Sequence, residues 1–240
     1  MKKLFIDNIL DLDSSAFIEG DDYQHLTKSL RVRCGEKFVI EDSSGNEYSC
    51  EVISINSKII EMKPLSVFER KHSKNFKMTL YFPLLKGDRT ELILQKATEI
   101  GVDKFIPVIT KNTVIQLDKQ NNKLKRWQTI LKEAAMQSGR KGIPEITPAI
   151  ALNEIPTIFS AKERGFVGSF DGIKWNCLEK NFTDIKNVAI IMGPEGDFTS
   201  EEVSVLKDKG FTAVNFSDNV LRSETACIFF VSVLSMFQFQ

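Results

Sequence analysis

Histidine and tryptophan each occur twice in 240 residues, tyrosine three times and cysteine four times. His25 and His72 are too few and too far apart for a metal cluster. Cys34, Cys50, Cys177 and Cys227 are scattered without a CxxC spacing, so zinc and dithiol motifs are excluded. Such sparse cysteine use fits a reduced, cytoplasmic setting. Long apolar runs are missing too. The longest, near Ala226 to Leu234, is too short to span a bilayer. The opening Met-Lys-Lys-Leu-Phe-Ile is cut by Asp7 before it can form the apolar core of a signal peptide. Neither a membrane nor a metal is therefore expected. There is no GxGxxG after a strand and no GxxxxGK[ST], which argues against dinucleotides and ATP. A GxSxG elbow is also absent, and with two histidines acyl-transfer hydrolysis is disfavoured.

Net charge is absent as well, with 32 Lys+Arg against 32 Asp+Glu. The balance is an average. Residues 1–72 carry a net −3, 73–85 a net +2, 86–142 a net +6 and 143–240 a net −5. A basic block between acidic ones is either a set of solvated helix faces or a local face for an anionic partner.

What is present is an ordinary globular composition, 42% apolar and 27% charged, long enough for one large domain or two modest ones. The first 70 residues are strand-rich: Lys2–Ile6, Lys37–Glu41, Tyr48–Ile55 and Ile59–Met62, with Asp21–Val32 as a helix. A small β-barrel with one helix fits, and the polar stretch Pro64–Asn75 reads as a linker. From Phe76 strands and helices alternate. Strands are predicted at Phe76–Phe82, Lys104–Ile109, Gly165–Phe170, Val188–Met192 and Phe211–Phe216. Helices are predicted at Arg89–Ile100, with Leu92, Ala97 and Ile100 on or near one face, at Lys123–Ser138, with Leu124, Trp127, Leu131, Ala134 and Ala135 as an apolar stripe, and at Glu224–Phe237. A further helix opens on the capping box Thr199-x-x-Glu202. Alternation of this kind implies a parallel, helix-covered sheet.

Two loops leave the carboxyl ends of predicted strands, where open α/β sheets bind ligands. One is Met192-Gly193-Pro194-Glu195-Gly196-Asp197, with glycines that permit close backbone approach. The other is Phe216-Ser217-Asp218-Asn219-Val220-Leu221-Arg222-Ser223-Glu224-Thr225-Ala226. A third stretch, Gln137-Ser138-Gly139-Arg140-Lys141, ends the long helix. Its cations either compensate the helix dipole or grip a base or phosphate. The fourth runs from Lys86-Gly87-Asp88-Arg89 to Lys96 on an amphipathic helix. In the fifth, Arg31 and Arg33 near a helix end either cap it or contact phosphates.

In this order and at these spacings the five stretches, with Arg126-Trp127, resemble the ribosomal RNA small subunit methyltransferase E family of the knotted SPOUT class. The similarity extends over nearly the whole chain. It implies a PUA-like RNA-binding β-barrel over 1–70. It also implies an α/β SPOUT methyltransferase domain over 74–240 whose C-terminal segment forms a deep trefoil knot. A homodimer is implied, binding S-adenosyl-L-methionine and methylating N3 of a uridine in the decoding region of 16S rRNA in the assembled small ribosomal subunit.

Carried over position by position, the cofactor set is Phe170, Met192, Gly193, Pro194, Glu195, Gly196, Phe216, Asn219, Val220, Leu221, Arg222, Thr225 and Ala226. The RNA set is Arg31, Arg33, Lys86, Arg89, Lys96, Arg126, Gln137, Arg140 and Lys141. Arg222, Arg140 and Glu224 are the catalytic candidates, the arginines to stabilise charge developing on the base. Two positions depart from the family pattern. Asp197 stands where a second glycine is usual, and Phe216-Ser217 where Leu-Gly is usual. These departures keep open a non-catalytic, RNA-binding assembly factor with a degenerate knot. A different target nucleotide is the other alternative, and zero net charge keeps a small-molecule α/β enzyme in view.

Overall fold

The computed structural model describes residues 2–70, 74–113, 120–158, 160–178 and 182–238, with backbone alone for 120–122. The chain divides into two compact units. The first is Met1–Lys71 with Ala135–Gly142, and the second is His72–Ala134 with Ile143–Gln240.

The first unit holds β1 (Lys2–Phe5), β2 (Ala16–Ile18), α1 (Gly20–Gln24), β3 (Lys37–Glu41), β4 (Glu47–Ile55) and β5 (Ile60–Val67). They form one sheet in the order β1-β3-β4-β5-β2, antiparallel except for the β1/β3 pair. Phe38, Ile40, Leu26, Ile60 and Met62 are the centre of its core. The expected helix over Asp21–Val32 is shorter. After α1 the chain widens into a π-helical turn over His25–Ser29, and the N–H of Leu30 reaches back five residues to the carbonyl of His25. Arg31 then takes φ 49°, the left-handed position that commonly ends a helix. The expected linker from Pro64 is also corrected, because β5 runs on to Val67. Pro64 pairs with Cys50 of β4 but lies beyond the stretch that meets β2, so its missing N–H breaks no second ladder.

A buried charge network binds the segment around Gly139 to this sheet. Lys3 is 4% exposed. Its Nζ donates to Glu41 at 2.6 Å and also to Glu47. Arg70 grips Glu47 through Nε and Nη2, each at 2.6 Å, and donates to the carbonyl of Gly139 at 2.7 Å. The N–H of Gly142 closes the circuit on Glu41 at 3.0 Å. Burial pushes the Glu47 carboxyl up, but the hydrogen bonds and charges of Arg70 and Lys3 more than offset this and hold it below 4.5.

The second unit contains β6 (Lys77–Pro83), α2 (Arg89–Ile100), β7 (Lys104–Ile109), most of α3 (Gln120–Ser138), and the short strands β8 (Glu145–Ile146) and β9 (Ile150–Ala151). Then follow β10 (Glu163–Lys174), β11 (Asn187–Ile191), α4 (Ser200–Asp208), β12 (Phe211–Asn215) and α5 (Ser223–Ser235). The sheet is parallel throughout, in the order β12-β10-β11-β6-β7-β8, with β9 also against β7. In α2 the buried face is Ile93, Leu94 and Ala97, while Leu92 is 39% exposed. Ala97 and Ile100 thus lie on the core side as expected, and Leu92 alone does not. The stripe of α3 is as expected, with Trp127, Leu131, Ala134 and Ala135 buried. No described helix is long and apolar enough to cross a membrane.

Replacing Lys3 by methionine leaves two buried carboxylates with one cation fewer. We expect a loss of about 3–5 kcal/mol in the unfolding free energy of the first unit, measured by denaturant titration. Glu47 has a lower pKa folded than unfolded. Its contribution is therefore complete above about pH 4.5 and drains away as the pH falls through the lower folded value. Unfolding followed from pH 6 to pH 3 should show this loss in the native protein.

Candidate functional site

Parallel strands deliver their carboxyl ends to one side of a sheet, and here three neighbours, β12, β10 and β11, do so side by side. The loop after β11 carries Met192 to Asp197, and the loop after β12 carries Phe216 to Arg222. Between them lies a cleft of about 530 Å³, within the range of small-molecule sites. Its walls are Gly168–Phe170 from β10, Met192–Glu195 and Asp197 after β11, Val214 and Asn215 at the end of β12, Phe216, Ser217 and Asn219–Arg222 after it, Ser223, Ala226 and Phe229 of α5, and Arg89 opening α2.

The first loop is a tight turn. The N–H of Asp197 donates to the carbonyl of Pro194 at 2.9 Å. Asp197 sits at φ 55°, a left-handed conformation in which glycine is usual and aspartate is among the better tolerated alternatives. Its Oδ1 accepts from the N–H of Phe198 at 2.8 Å. Gly193 is packed so closely that a Cβ there would lie 2.8 Å from that same oxygen. A neighbouring loop clamps the turn from outside, since Asn112 Nδ2 donates to the carbonyls of Gly196 and Asp197, each at 3.0 Å. Lys111 N–H donates to Glu202 Oε1 at 2.8 Å. Glu202 also completes the expected capping box with Thr199 at the start of α4.

The second loop is braced by side chains. Asn215 Nδ2 donates to the carbonyl of Phe170, and Asn215 Oδ1 accepts from Ser217 N–H. Ser217 Oγ accepts from Asn219 N–H at 3.0 Å. Ser217 is not at positive φ, so the change from glycine costs no backbone strain and supplies a loop-closing acceptor. Phe216 is held between Trp175, 5.1 Å away between ring centres, and Phe230.

Of the expected cofactor set, Phe170, Met192, Gly193, Pro194, Glu195, Phe216, Asn219, Val220, Leu221, Arg222 and Ala226 line the cleft. Gly196 and Thr225 do not. Gly196 faces a second cleft of about 710 Å³, lined by Lys86, Arg89, Lys111, Asn112, Thr113, Glu195 and Gly196. Arg89 and Glu195 border both clefts and form an ion pair at 2.8 Å.

Glu224, expected among the catalytic groups, is not brought to the cleft. In the first turn of α5 it points inward at 7% exposure, with Oε2 unsatisfied. There it adds its charge to the burial that raises the thiol pKa of Cys227. Arg222 is exposed on the cleft wall. Arg140, Gln137, Lys141, Arg31 and Arg33 belong to the first unit, while Lys86, Arg89, Lys96 and Arg126 belong to the second. The basic block of 86–142 is therefore divided between the units. Part of it is also compensated: Arg126 is bidentate to Glu91, and Lys96 pairs with Glu99.

Sequence reasoning missed Lys111, Asn112 and Phe229. The polar Thr110-Lys111-Asn112 directly after β7 was an available signal, because it too leaves the carboxyl end of a strand.

Family models place the chain among RNA methyltransferases. The family model for the RNA methyltransferase domain matches residues 72–235, and the RNA methyltransferase PUA domain matches 18–65. Ribosomal RNA small subunit methyltransferase E 2 of Borreliella burgdorferi is 30% identical over 211 residues, 86% of this chain and 85% of that protein. Ribosomal RNA small subunit methyltransferase E of Bacillus subtilis is 27% identical over 231 residues, 91% of this chain and 88% of its own. The chain belongs to the ribosomal RNA small subunit methyltransferase E family. A Legionella pneumophila methyltransferase solved with SAM bound has a TM-score of 0.84 at 26% identity, covering 98% of this chain and 96% of that one. The Neisseria gonorrhoeae family member shares the fold, with a TM-score of 0.88 at 24% identity over 99% and 98% of the two chains.

The turn at Asp197 sets a stability prediction. Asp197→Val removes the Phe198 hydrogen bond and places a β-branched residue at positive φ. It should cost about 1–2 kcal/mol, read by thermal unfolding. Asp197→Gly, which relieves the φ restriction while losing the same hydrogen bond, should cost less.

Proposed function

We propose that this protein uses S-adenosyl-L-methionine to methylate N3 of a uridine in the decoding region of 16S rRNA, acting on the assembled small ribosomal subunit as a cytoplasmic homodimer. One observation carries the reading: the Gly-Pro-Glu-Gly turn and the Leu-Arg-Ser-Glu-Thr-Ala segment, about two dozen residues apart, form opposite walls of one cleft of ligand size. The cofactor-bound Legionella relative supports the choice of ligand. The reading includes a PUA-like module over 1–70, a catalytic domain over 74–240 and a trefoil knot in its C-terminal segment.

The residues present fit the cofactor. Met192, Leu221, Phe216 and Ala226 offer an apolar seat, and the tightly packed Gly193 lets backbone groups approach closely. When bound, S-adenosyl-L-methionine supplies an electrophilic methyl group. The chain's own work is alignment, which contributes much of the rate in a displacement. Uridine N3 must lose a proton before it is a good nucleophile. Arg222, exposed on the wall, would stabilise the negative charge that develops on the base oxygens. Glu195, held by Arg89 at the edge of both clefts, is better placed than the buried Glu224 to accept that proton. Arg140 remains the second arginine candidate. Arg31, Arg33, Gln137 and Lys141 of the first unit, with Lys86 and Arg89 of the second, would contact phosphates and set register. Lys96 and Arg126 could join them only by exchanging their carboxylate partners. Reaching a stacked base requires taking it out of its stack.

The test is mass spectrometry of 16S rRNA fragments after incubation of small subunits with protein and labelled cofactor. Label on N3 of one decoding-region uridine is expected, and label on another atom or nucleotide would overturn the assignment. In the same assay Arg222→Ala should lower kcat by about a hundredfold or more. Full activity would remove Arg222 from the catalytic role.

A further inference from the structure

We infer that the second cleft is the seat of the RNA phosphodiester backbone beside the nucleotide being methylated, with Lys111 as its principal cation. The inference rests on the reading of the first cleft as the methyl-transfer site and names the substrate group that the neighbouring surface takes. A base that enters the first cleft must leave its flanking phosphates outside. The adjoining second cleft presents three cations, Lys86, Arg89 and Lys111, against one lining carboxylate, Glu195. Two carboxylates lie close by on α4. Glu201 feels the Lys111 charge, and Glu202 accepts the Lys111 backbone N–H.

The cations come from two places in the chain. Lys86 and Arg89 share the connection from β6 to α2, where Arg89 Nε donates to the Lys86 carbonyl, and Lys111 follows β7. Such convergence differs from the solvated stripe that one helix presents. Unlike Lys96 and Arg126, whose carboxylate partners sit on the same helix or the adjacent one, these cations line a concavity large enough for a sugar-phosphate unit.

The anchoring of the Lys111 loop supports the same reading. Asn112 fastens it to the carbonyls of Gly196 and Asp197, the turn that also walls the first cleft. A phosphate held at Lys111 is therefore kept in fixed register with the cofactor loop. Positioning of this kind governs methyl-transfer rate. Arg89 is the shared element. It is paired with Glu195 at 2.8 Å at the boundary, and an RNA phosphate in the second cleft would compete with that carboxylate for the guanidinium.

The experiment is equilibrium binding of unmethylated small ribosomal subunits by wild type, Lys111→Ala and Lys111→Arg, without cofactor, across a range of salt. Cofactor binding is measured in parallel by calorimetry. Lys111→Ala should weaken subunit binding about tenfold and lower the slope of log affinity against log salt by about 0.7, with cofactor affinity unchanged. Lys111→Arg should restore most of the binding. Unchanged subunit affinity and salt slope in Lys111→Ala would overturn the inference. So would an equal loss of cofactor affinity, which would mean that the variant had merely disturbed the loop. Failure of the wild type to bind S-adenosyl-L-methionine would sink the methyltransferase reading instead, and the cofactor-free subunit measurement is independent of it.

Discussion

Parallel pairing of β10 with both β11 and β12 is the constraint on which the site depends. A parallel pair cannot be closed by a tight hairpin, so each strand needs a crossover and each loop leaves the same end of the sheet. With β12, β10 and β11 side by side, the Gly-Pro-Glu-Gly turn and the Leu-Arg-Ser-Glu-Thr-Ala segment have to face one another. The cleft follows from strand order. The loops then need local devices to hold the close approach: a left-handed aspartate, an unsubstituted Gly193, and the closures made by Asn215 and Ser217. The two departures from the family pattern are thus absorbed. Asp197 keeps the turn that a second glycine would make, and Ser217 exchanges backbone freedom for an acceptor. Neither feature favours a degenerate site.

The first unit is organised by a different interaction, the buried Lys3–Glu41–Glu47–Arg70 network. Two cations and two carboxylates nearly cancel, and the leftover hydrogen-bonding capacity is spent on the backbone of Gly139 and Gly142. Such a network is costly to break from one side and specifies one arrangement. Here it fixes the segment that carries Gln137, Arg140 and Lys141, so a motif written at the end of a helix in the middle of the sequence is held by residues from the N-terminal sheet.

Much of the fold was legible. The capping box at Thr199, the stripe of α3 and the strand–helix alternation after Phe76 are local patterns, set by side-chain period and by backbone groups needing partners, and they survive tertiary context. The misreadings share a cause. Pro64 suggests a break, but a proline is harmless where no second strand pairs. Leu92 fits the helical period, yet the neighbouring elements select Ile93 and Leu94. Asp21–Val32 has helical composition, but the helix passes into a π turn around the buried Leu26 and ends at the left-handed Arg31.

For the candidate site, the sequence by itself determined that two loops leave the carboxyl ends of strands, where open α/β sheets bind ligands, and the resemblance to the family singled out those two. Only the tertiary structure decided which of their residues reach the cleft. Glu224 and Arg222 are two positions apart, yet one turns into the core while the other stays on the wall, because a helix start divides inward from outward within a fraction of a turn. Lys111 and Asn112 meet the first loop although more than eighty residues separate them, since sheet order rather than chain distance sets which carboxyl-end loops are neighbours. Zero net charge was likewise a property of the sum. Where each cation sits, paired on a helix or gathered in a cleft, is a matter of three-dimensional proximity, and no count along the chain contains it.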